Sequence, residues 1–221
     1  IYTLSLHDAL PISSWKNIVK NDALKHMKNS YIANAYQKLK DEALQAEVIG
    51  RFDQLLSEND LGNKMIAYHL VKAILPAIAF HDVLTSHGAD NGDSKEQIRE
   101  SVLNAAKSAA SLFQVIGKIP FFFPLMRRMV KIGLRTKYGE AGWDFVWTRD
   151  DPAALVWDCR RCLYADVFQK YGMPELTEIF CESDDVAYGN IPGVRWGRTQ
   201  TIGRGDPICD FKLYNEKMKG I

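Results

Sequence analysis

The chain has four cysteines, and all of them lie in its last third beside acidic, basic and hydroxyl side chains. The cysteines are Cys159, Cys162, Cys181 and Cys209. A thiolate can act as a nucleophile, a carboxylate can transfer protons, and an arginine can bind a substrate carboxylate. We therefore look for the chemistry of this protein between Cys159 and Asp210.

The spacing of Cys159 and Cys162 is that of a zinc-binding or redox pair. Cys181 and Cys209 form no second pair at such spacing, so the rule for a zinc site is only half met and we expect no metal site. We also expect no cofactor. The sequence favours a helix over residues 159–171, which would place Cys162 in the first turn beside two arginines. A helix start and nearby positive charge both lower the pKa of a thiol. For any single cysteine, the alternative is a buried apolar role.

Three short segments of this region resemble a known family. Residues 181–185 (CESDD), 193–205 (GVRWGRTQTIGRG) and 209–211 (CDF) are similar to the L-2-amino-thiazoline-4-carboxylic acid hydrolase family. The similarity is strongest over residues 159–214, and residues 74–80 look like the family's N-terminal helix signature. The resemblance implies hydrolysis of a cyclic amidine, in which the thiazoline ring opens at the carbon between nitrogen and sulfur and yields a carbamoyl-cysteine.

This reaction needs a nucleophile, a carboxylate to pair with the amidinium and a cation for the substrate carboxylate. Cys181 or Cys209 is the expected nucleophile, with an activated water as the alternative, and Asp184 is the expected base or amidinium partner. A helix continuing through Asp184 would place it on the face of Cys181, whereas Asp185 would point about 100° away. If the helix stops earlier, Asp184 only caps a turn. The candidate substrate-binding residues are Arg198, Thr199, Thr201, Arg204 and Asp210.

Composition limits the classes of partner. The 28 basic and 27 acidic residues nearly cancel, so we expect no nucleic-acid partner. The longest apolar stretch, residues 111–126, contains Lys118 and two prolines and is too short for a membrane span. Residues 121–131 could lie at a membrane interface, but a helix packed on a core is the favoured interpretation. We expect a cytoplasmic protein with a small-molecule substrate, and the sequence is compatible with a monomer or a homo-oligomer.

Residues 1–13 resemble translated sequencing-adaptor read-through rather than a signal peptide. We expect them to pack poorly, and we expect residues 14–221 to form a single domain.

Apolar residues at helical spacing predict helices over most of the first 137 residues. One buried helix covers residues 65–84 and kinks at Pro76. Ser94 and Gln97 form a capping box that opens a helix reaching Val115, and another helix covers residues 124–137.

Alternating residues then predict two antiparallel hairpins. The first joins residues 143–148 to 154–157, and the second joins 194–201 to 208–214. On the latter, Arg195 and Arg198 have opposite parity, so at most one of them faces the site. The expected class is α+β, with a helical N-terminal part packed on a small antiparallel sheet of two hairpins separated by two helices.

Two other functions remain open at this point. One is a regulatory module that binds a small molecule or metal without turnover. The other is a structural partner protein, which would show a broad apolar patch on the helix of residues 121–134 and no polar pocket.

Overall fold

The computed structural model describes residues 22–218. The adaptor-like segment of residues 1–13 lies outside this range, so the expectation about it stays a prediction. The chain divides into two compact units between Ser94 and Lys95. The expected single domain likewise stays a prediction, and each unit is described by itself.

The first unit is helical in its described part. Its helices are α1 (Ala23–Lys28), α2 (Ala33–Lys38), α3 (Glu42–Glu58), α4 (Lys64–His69) and α5 (Leu75–Ser86). Asp22, Asp41 and Asn63 begin three of these helices, because each side chain accepts a hydrogen bond from an amide in the first turn. The core contains fully buried side chains of Met27, Ile32, Phe52, Leu55, Leu56, Ile74, Leu75, Ile78 and Phe80.

The predicted buried helix is present as α4 and α5, joined by a π-helical turn at Leu70–Ile74. Pro76 follows this turn and has no amide hydrogen to donate back along the helix. The carbonyl of Lys72, four residues before it, accepts a hydrogen bond from the Tyr31 amide at 2.9 Å. Among residues 22–218, Lys64–Ser86 is the one stretch long and apolar enough to cross a membrane. Of its most apolar window, 78% is buried inside the structure, as in the core helix of a globular protein.

The second unit contains helices and an antiparallel sheet. Its helices are α6 (Asn91–Ile116, which begins in the first unit), α7 (Phe122–Gly133), α8 (Leu163–Lys170) and α9 (Leu176–Tyr188). Its strands are β1 (Trp143–Asp150), β2 (Ala154–Cys162), β3 (Val194–Gly197) and β4 (Cys209–Asn215), in the order β1-β2-β4-β3. The predicted α+β class is confirmed.

Both hairpins pair antiparallel as predicted. The first turns at Asp151, whose carboxylate accepts hydrogen bonds from the amides of Ala153 and Ala154. The second is shorter than predicted, since β3 ends at Gly197. The amides of Thr199 and Gln200 donate to the Asp210 carboxylate instead of to a strand, and this ends the pairing.

Two predicted helix starts are wrong. Helix α6 begins at Asn91, and Ser94 is buried inside it with its hydroxyl 2.7 Å from His81 Nδ1. The helix predicted from Cys159 begins only at Leu163, because β2 continues to Cys162. Cys159 pairs with both β1 and β4, and Arg161 and Cys162 pair with β1, which stabilises this extension.

One face of α7 packs against the sheet. Phe122, Phe123 and Met126 join a buried cluster with Leu155, Trp157, Ile191, Val194 and Leu213. The core interpretation of this helix is therefore confirmed for that face.

Candidate functional site

The fold brings the cysteines together at one end of the sheet. Cys159 on β2 and Cys209 on β4 are direct cross-strand partners. Cys181 on α9 shares a hydrogen bond with Cys209, and Cys162 interacts electrostatically with Cys159 and Cys181. All four are free thiols. Within residues 22–218, no three His, Cys, Asp or Glu side chains are arranged to hold a metal ion.

Cys209 is the thiol best prepared to ionise. Its sulfur lies 3.2 Å from the amide nitrogen of Ile202, which donates to it, and 3.6 Å from Thr201 Oγ1. The hydrogen bond from Cys181 lowers the pKa of Cys209 most, and the Ile202 and Thr201 bonds add to it against the opposing effect of burial. These donors stabilise the negative charge of a thiolate.

The other three thiols hold their protons more tightly. The bond to Cys209 and burial raise the pKa of Cys181, and burial raises the pKa of Cys159. Burial also raises the pKa of Cys162 to about 11, although the amides of Ala165 and Tyr164 oppose it. The expectation of a lowered pKa at Cys162 is therefore wrong, because the loss of water exceeds the effect of the helix start.

The buried side chain of Arg198 contacts two carboxylates and the backbone of Cys181. Helix α9 continues to Tyr188, so Asp184 shares the face of Cys181, as expected for an uninterrupted helix. Arg198 donates from Nη1 to Asp184 (3.3 Å), and from Nη2 to Asp185 (2.7 Å) and to the Cys181 carbonyl (2.8 Å). Only 4% of its side chain is exposed.

Strand parity does not decide how Arg195 and Arg198 are placed, because β3 ends at Gly197, before Arg198. Arg195 stacks on the ring of Tyr214, 4.0 Å from its centroid. The expectation that Asp185 points away from the site does not hold, because it contacts the same guanidinium as Asp184. Trp196 Nε1 also donates to Asp185 at 2.9 Å.

The Arg198 guanidinium thus donates hydrogen bonds to two carboxylates, and its contact with Asp185 is the shorter one. Burial raises the pKa of Asp184 to about 7, Arg198 opposes this rise and the negative charge of Asp185 adds to it. The Asp184 side chain keeps 35% of its surface exposed, and water at that edge limits the rise. Asp184 can therefore hold or release a proton near neutral pH in a position that solvent reaches.

Hydrogen bonds to the Asp210 carboxylate fix the chain between Arg198 and Thr201. The buried Asp210 carboxylate accepts from the Thr199 amide (2.8 Å) and hydroxyl (2.5 Å), the Gln200 amide (2.6 Å) and Lys212 Nζ (2.5 Å). Burial alone would raise the pKa of Asp210, but the bonds from Lys212, Thr199 and Gln200 hold it well below its usual range. Substrate binding by Thr199 and Asp210 stays a prediction, and their contacts support a positioning role.

A hollow of about 580 Å³ lies beside this cluster, lined by α8, the start of α9 and the turn at Ile202, Gly203 and Gly205. Ile202 and Gly203 belong to a short 3-10 turn, Ile202–Arg204, whose first amide bonds Cys209. Arg204 is exposed between the two lining glycines and donates to Glu178 at 2.8 Å. The same turn therefore borders both the hollow and the thiols.

Sequence reasoning missed the amide of Ile202, the indole of Trp196 and the close approach at Gly203. A Cβ at Gly203 would lie 2.9 Å from Cys181 Sγ and 2.9 Å from the Glu178 nitrogen. The pair Gly203-x-Gly205 after a strand was the available signal, and it marks this tight contact rather than a phosphate-binding loop.

Gly203→Ala is expected to destabilise the protein by about 1–3 kcal/mol, because the turn must move away from α9. Movement of the Ile202 amide would also raise the pKa of Cys209, so its alkylation by iodoacetamide should reach half its maximum rate at a higher pH, whatever the change in access. Denaturant unfolding and mass-resolved labelling measure the two effects.

The matched control is Gly50→Ala on the exposed side of α3, where no atom of residues 22–218, apart from the adjoining helix backbone, lies within 4 Å of the added Cβ. This change should stabilise the protein by about 0.5–1 kcal/mol, since alanine favours a helix over glycine. Unchanged stability and labelling in Gly203→Ala would show that the turn does not depend on this close approach.

A family model described as L-2-amino-thiazoline-4-carboxylic acid hydrolase matches residues 68–213, more than half of the chain. All the candidate site residues lie within that range. No curated protein and no solved structure matches the chain.

Proposed function

Because the chain belongs to the L-2-amino-thiazoline-4-carboxylic acid hydrolase family, we propose that it hydrolyses a small cyclic amidine such as 2-amino-thiazoline-4-carboxylate. The observation that carries the proposal is the Cys209 sulfur, which accepts hydrogen bonds from the Ile202 amide and the Cys181 thiol. Cys181 lies one helical turn before Asp184. A stabilised thiolate and a carboxyl group that titrates near neutral pH are the pair that this reaction needs.

In the first step, the Cys209 thiolate attacks the ring carbon between nitrogen and sulfur. The bond from this carbon to the ring sulfur breaks, its electron pair goes to the sulfur, and the sulfur takes a proton from Asp184. The ring is then open, and its former amidine carbon is bonded to Cys209 as an isothiouronium. The positive charge of this group lies where the Asp184 carboxylate can pair with it.

In the second step, water attacks the same carbon and Asp184 takes a proton from it. The carbon–sulfur bond to Cys209 then breaks, which restores the thiolate and leaves a carbamoyl-cysteine. The additional proton carried by the amidinium passes to solvent. Cys209 and Asp184 thus return to their starting states, and one water is consumed.

The surrounding residues position these two groups. Arg198 has its contacts inside the protein, so its proposed role is to orient Asp184 and the end of α9 rather than to bind substrate. Arg204 is the exposed cation at the hollow, and it can bind the substrate carboxylate by exchanging its bond with Glu178. Thr201 is buried, with 2% of the residue exposed, so its proposed role is to support the Cys209 thiolate.

The test is an assay of the full chain with 2-amino-thiazoline-4-carboxylate and a panel of cyclic amidines with and without a carboxylate. Mass spectrometry should show a product heavier than the substrate by one water, and acid quenching should trap the isothiouronium on the Cys209 peptide. Loss of the substrate carboxylate should raise KM more than it lowers kcat. Tight binding of a panel member without product from any of them would overturn hydrolysis in favour of a binding module.

A further inference from the structure

The second unit carries a surface that is both apolar and basic, formed by the end of α6, the connection at 117–121 and the outer side of α7. Residues 101–139 contain seven Lys or Arg and no Asp or Glu. The large apolar side chains exposed there are Leu112, Val115, Ile119, Phe121, Leu125, Met129 and Ile132. We refer to these side chains with Lys118, Arg128 and Arg135 as the basic apolar surface.

Packing among residues 22–218 does not account for this surface. Phe122 and Met126 are buried in the core, whereas the exposed apolar residues lie on an adjacent side of α7. Leu125, Met129 and Ile132 follow helical spacing and are each about half exposed (52%, 48% and 50%). Helix α7 is therefore apolar on two sides, and only one side has a partner among the described residues.

Phe121 is the most exposed large apolar residue, at 84%. Its φ of 63° lies in the left-handed region, which is unfavourable for an aromatic residue. The backbone thus directs the ring outward at a local cost in conformational energy. A hollow of about 500 Å³ with a mainly apolar lining, which includes Phe123, Pro192 and Val194, lies directly beside it.

The charges on this surface point to the kind of partner. Arg127 and Lys131 pair with Asp150 at 2.8 and 2.6 Å, while Lys118, Arg128 and Arg135 are exposed. Two copies of the chain joined through this surface would place like charges face to face, which disfavours a symmetric dimer. By helical spacing, Arg128 stands between Leu125 and Ile132, so the positive charge borders the apolar side chains.

We propose that the basic apolar surface binds the surface of an anionic phospholipid bilayer. Phe121, Leu125 and Met129 enter the boundary between headgroups and acyl chains, and the basic side chains contact lipid phosphates. Such a helix lies in the plane of the membrane and does not span it. Binding of this kind depends on apolar area and on charge together, so loss of either should weaken it.

The test is flotation of the full chain with phosphatidylcholine vesicles that contain either no anionic lipid or about one third phosphatidylglycerol. The protein should float with the anionic vesicles, and high salt should release it. Phe121→Asn and Arg128→Glu should each lower the partition coefficient on the order of tenfold. Asparagine tolerates the left-handed conformation, so Phe121→Asn is expected to keep the thermal midpoint of the wild type.

Two controls on the first unit match these changes. Lys40→Glu makes the same change in net charge, and Leu24→Gln removes an apolar side chain that is 42% exposed. Both should float like the wild type. Equal flotation with neutral vesicles, or unchanged flotation of both surface variants, would overturn the proposal. The proposal would also be overturned if the protein did not float and instead formed a dimer, measured by light scattering, that the surface variants convert to monomers.

Discussion

Replacement of Cys209 by serine is expected to lower turnover of the cyclic amidine about 1000-fold or more while leaving the fold intact. Serine keeps the size of the buried side chain and can still accept from the Ile202 amide, so packing changes little. Its hydroxyl does not ionise near neutral pH and is a much weaker nucleophile than a thiolate. Turnover and thermal midpoint measured on the same preparation separate chemistry from stability.

Cys162→Ser is the matched control, because this thiol is near the cluster but its pKa is raised to about 11. It should keep most of the turnover. Iodoacetamide at neutral pH should label Cys209 before the other cysteines and abolish turnover in proportion. An active Cys209→Ser variant would identify water as the nucleophile, with Asp184 as its base.

Access to Cys209 is also measurable in this experiment. Only 4% of the residue is exposed, and the Ile202–Arg204 turn lies between it and the hollow. Substrate and iodoacetamide therefore both require movement of this turn. A labelling rate that stays constant as reagent concentration rises would show that opening of the turn limits the reaction.

Sequence periodicity was sufficient for the existence of both hairpins, because alternation depends on neighbours a few residues apart. It placed Cys181 and Asp184 on one face only if their helix continued past Cys181, and the structure shows that it does. It was not sufficient for residues 159–162, where pairing with β1, and at Cys159 also with β4, overrides a local helix signal. It also could not show that α7 is apolar on two sides with only one side packed, since periodicity does not reveal which face has a partner.

The electrostatics of the site were the least predictable part. Arg198 and Asp185 are 13 residues apart, and the turn after β3 brings them to 2.7 Å. The pKa of Asp184 is raised because the carboxyl group is buried and because it shares the Arg198 guanidinium with the negatively charged Asp185. Both are tertiary effects. A sequence shows which residues can carry charge, but the sharing of charge depends on the folded arrangement.

Asp184→Asn is expected to lower turnover about 100-fold or more, the usual loss when a general acid is removed. The amide still accepts a hydrogen bond from Arg198, so the geometry of α9 is retained. The wild-type pH profile should fall as pH rises through about 7, where Asp184 loses its proton, and the variant's residual activity should lack this limb. Asp185→Asn is the informative control, because removing its negative charge should lower the pKa of Asp184 and move the limb to lower pH.

The stability of the same variant gives an independent check. Because the pKa of Asp184 is raised in the folded state, the folded protein binds the proton more tightly than the unfolded chain does. The resulting stabilisation is complete below the usual carboxyl pKa of about 4 and is lost as pH rises through about 7. Asp184→Asn lacks this dependence, so it should unfold at a higher temperature than the wild type at pH values above 7. A variant that is less stable at that pH but fully active would show that Asp184 serves the fold, and would remove it from the catalytic site.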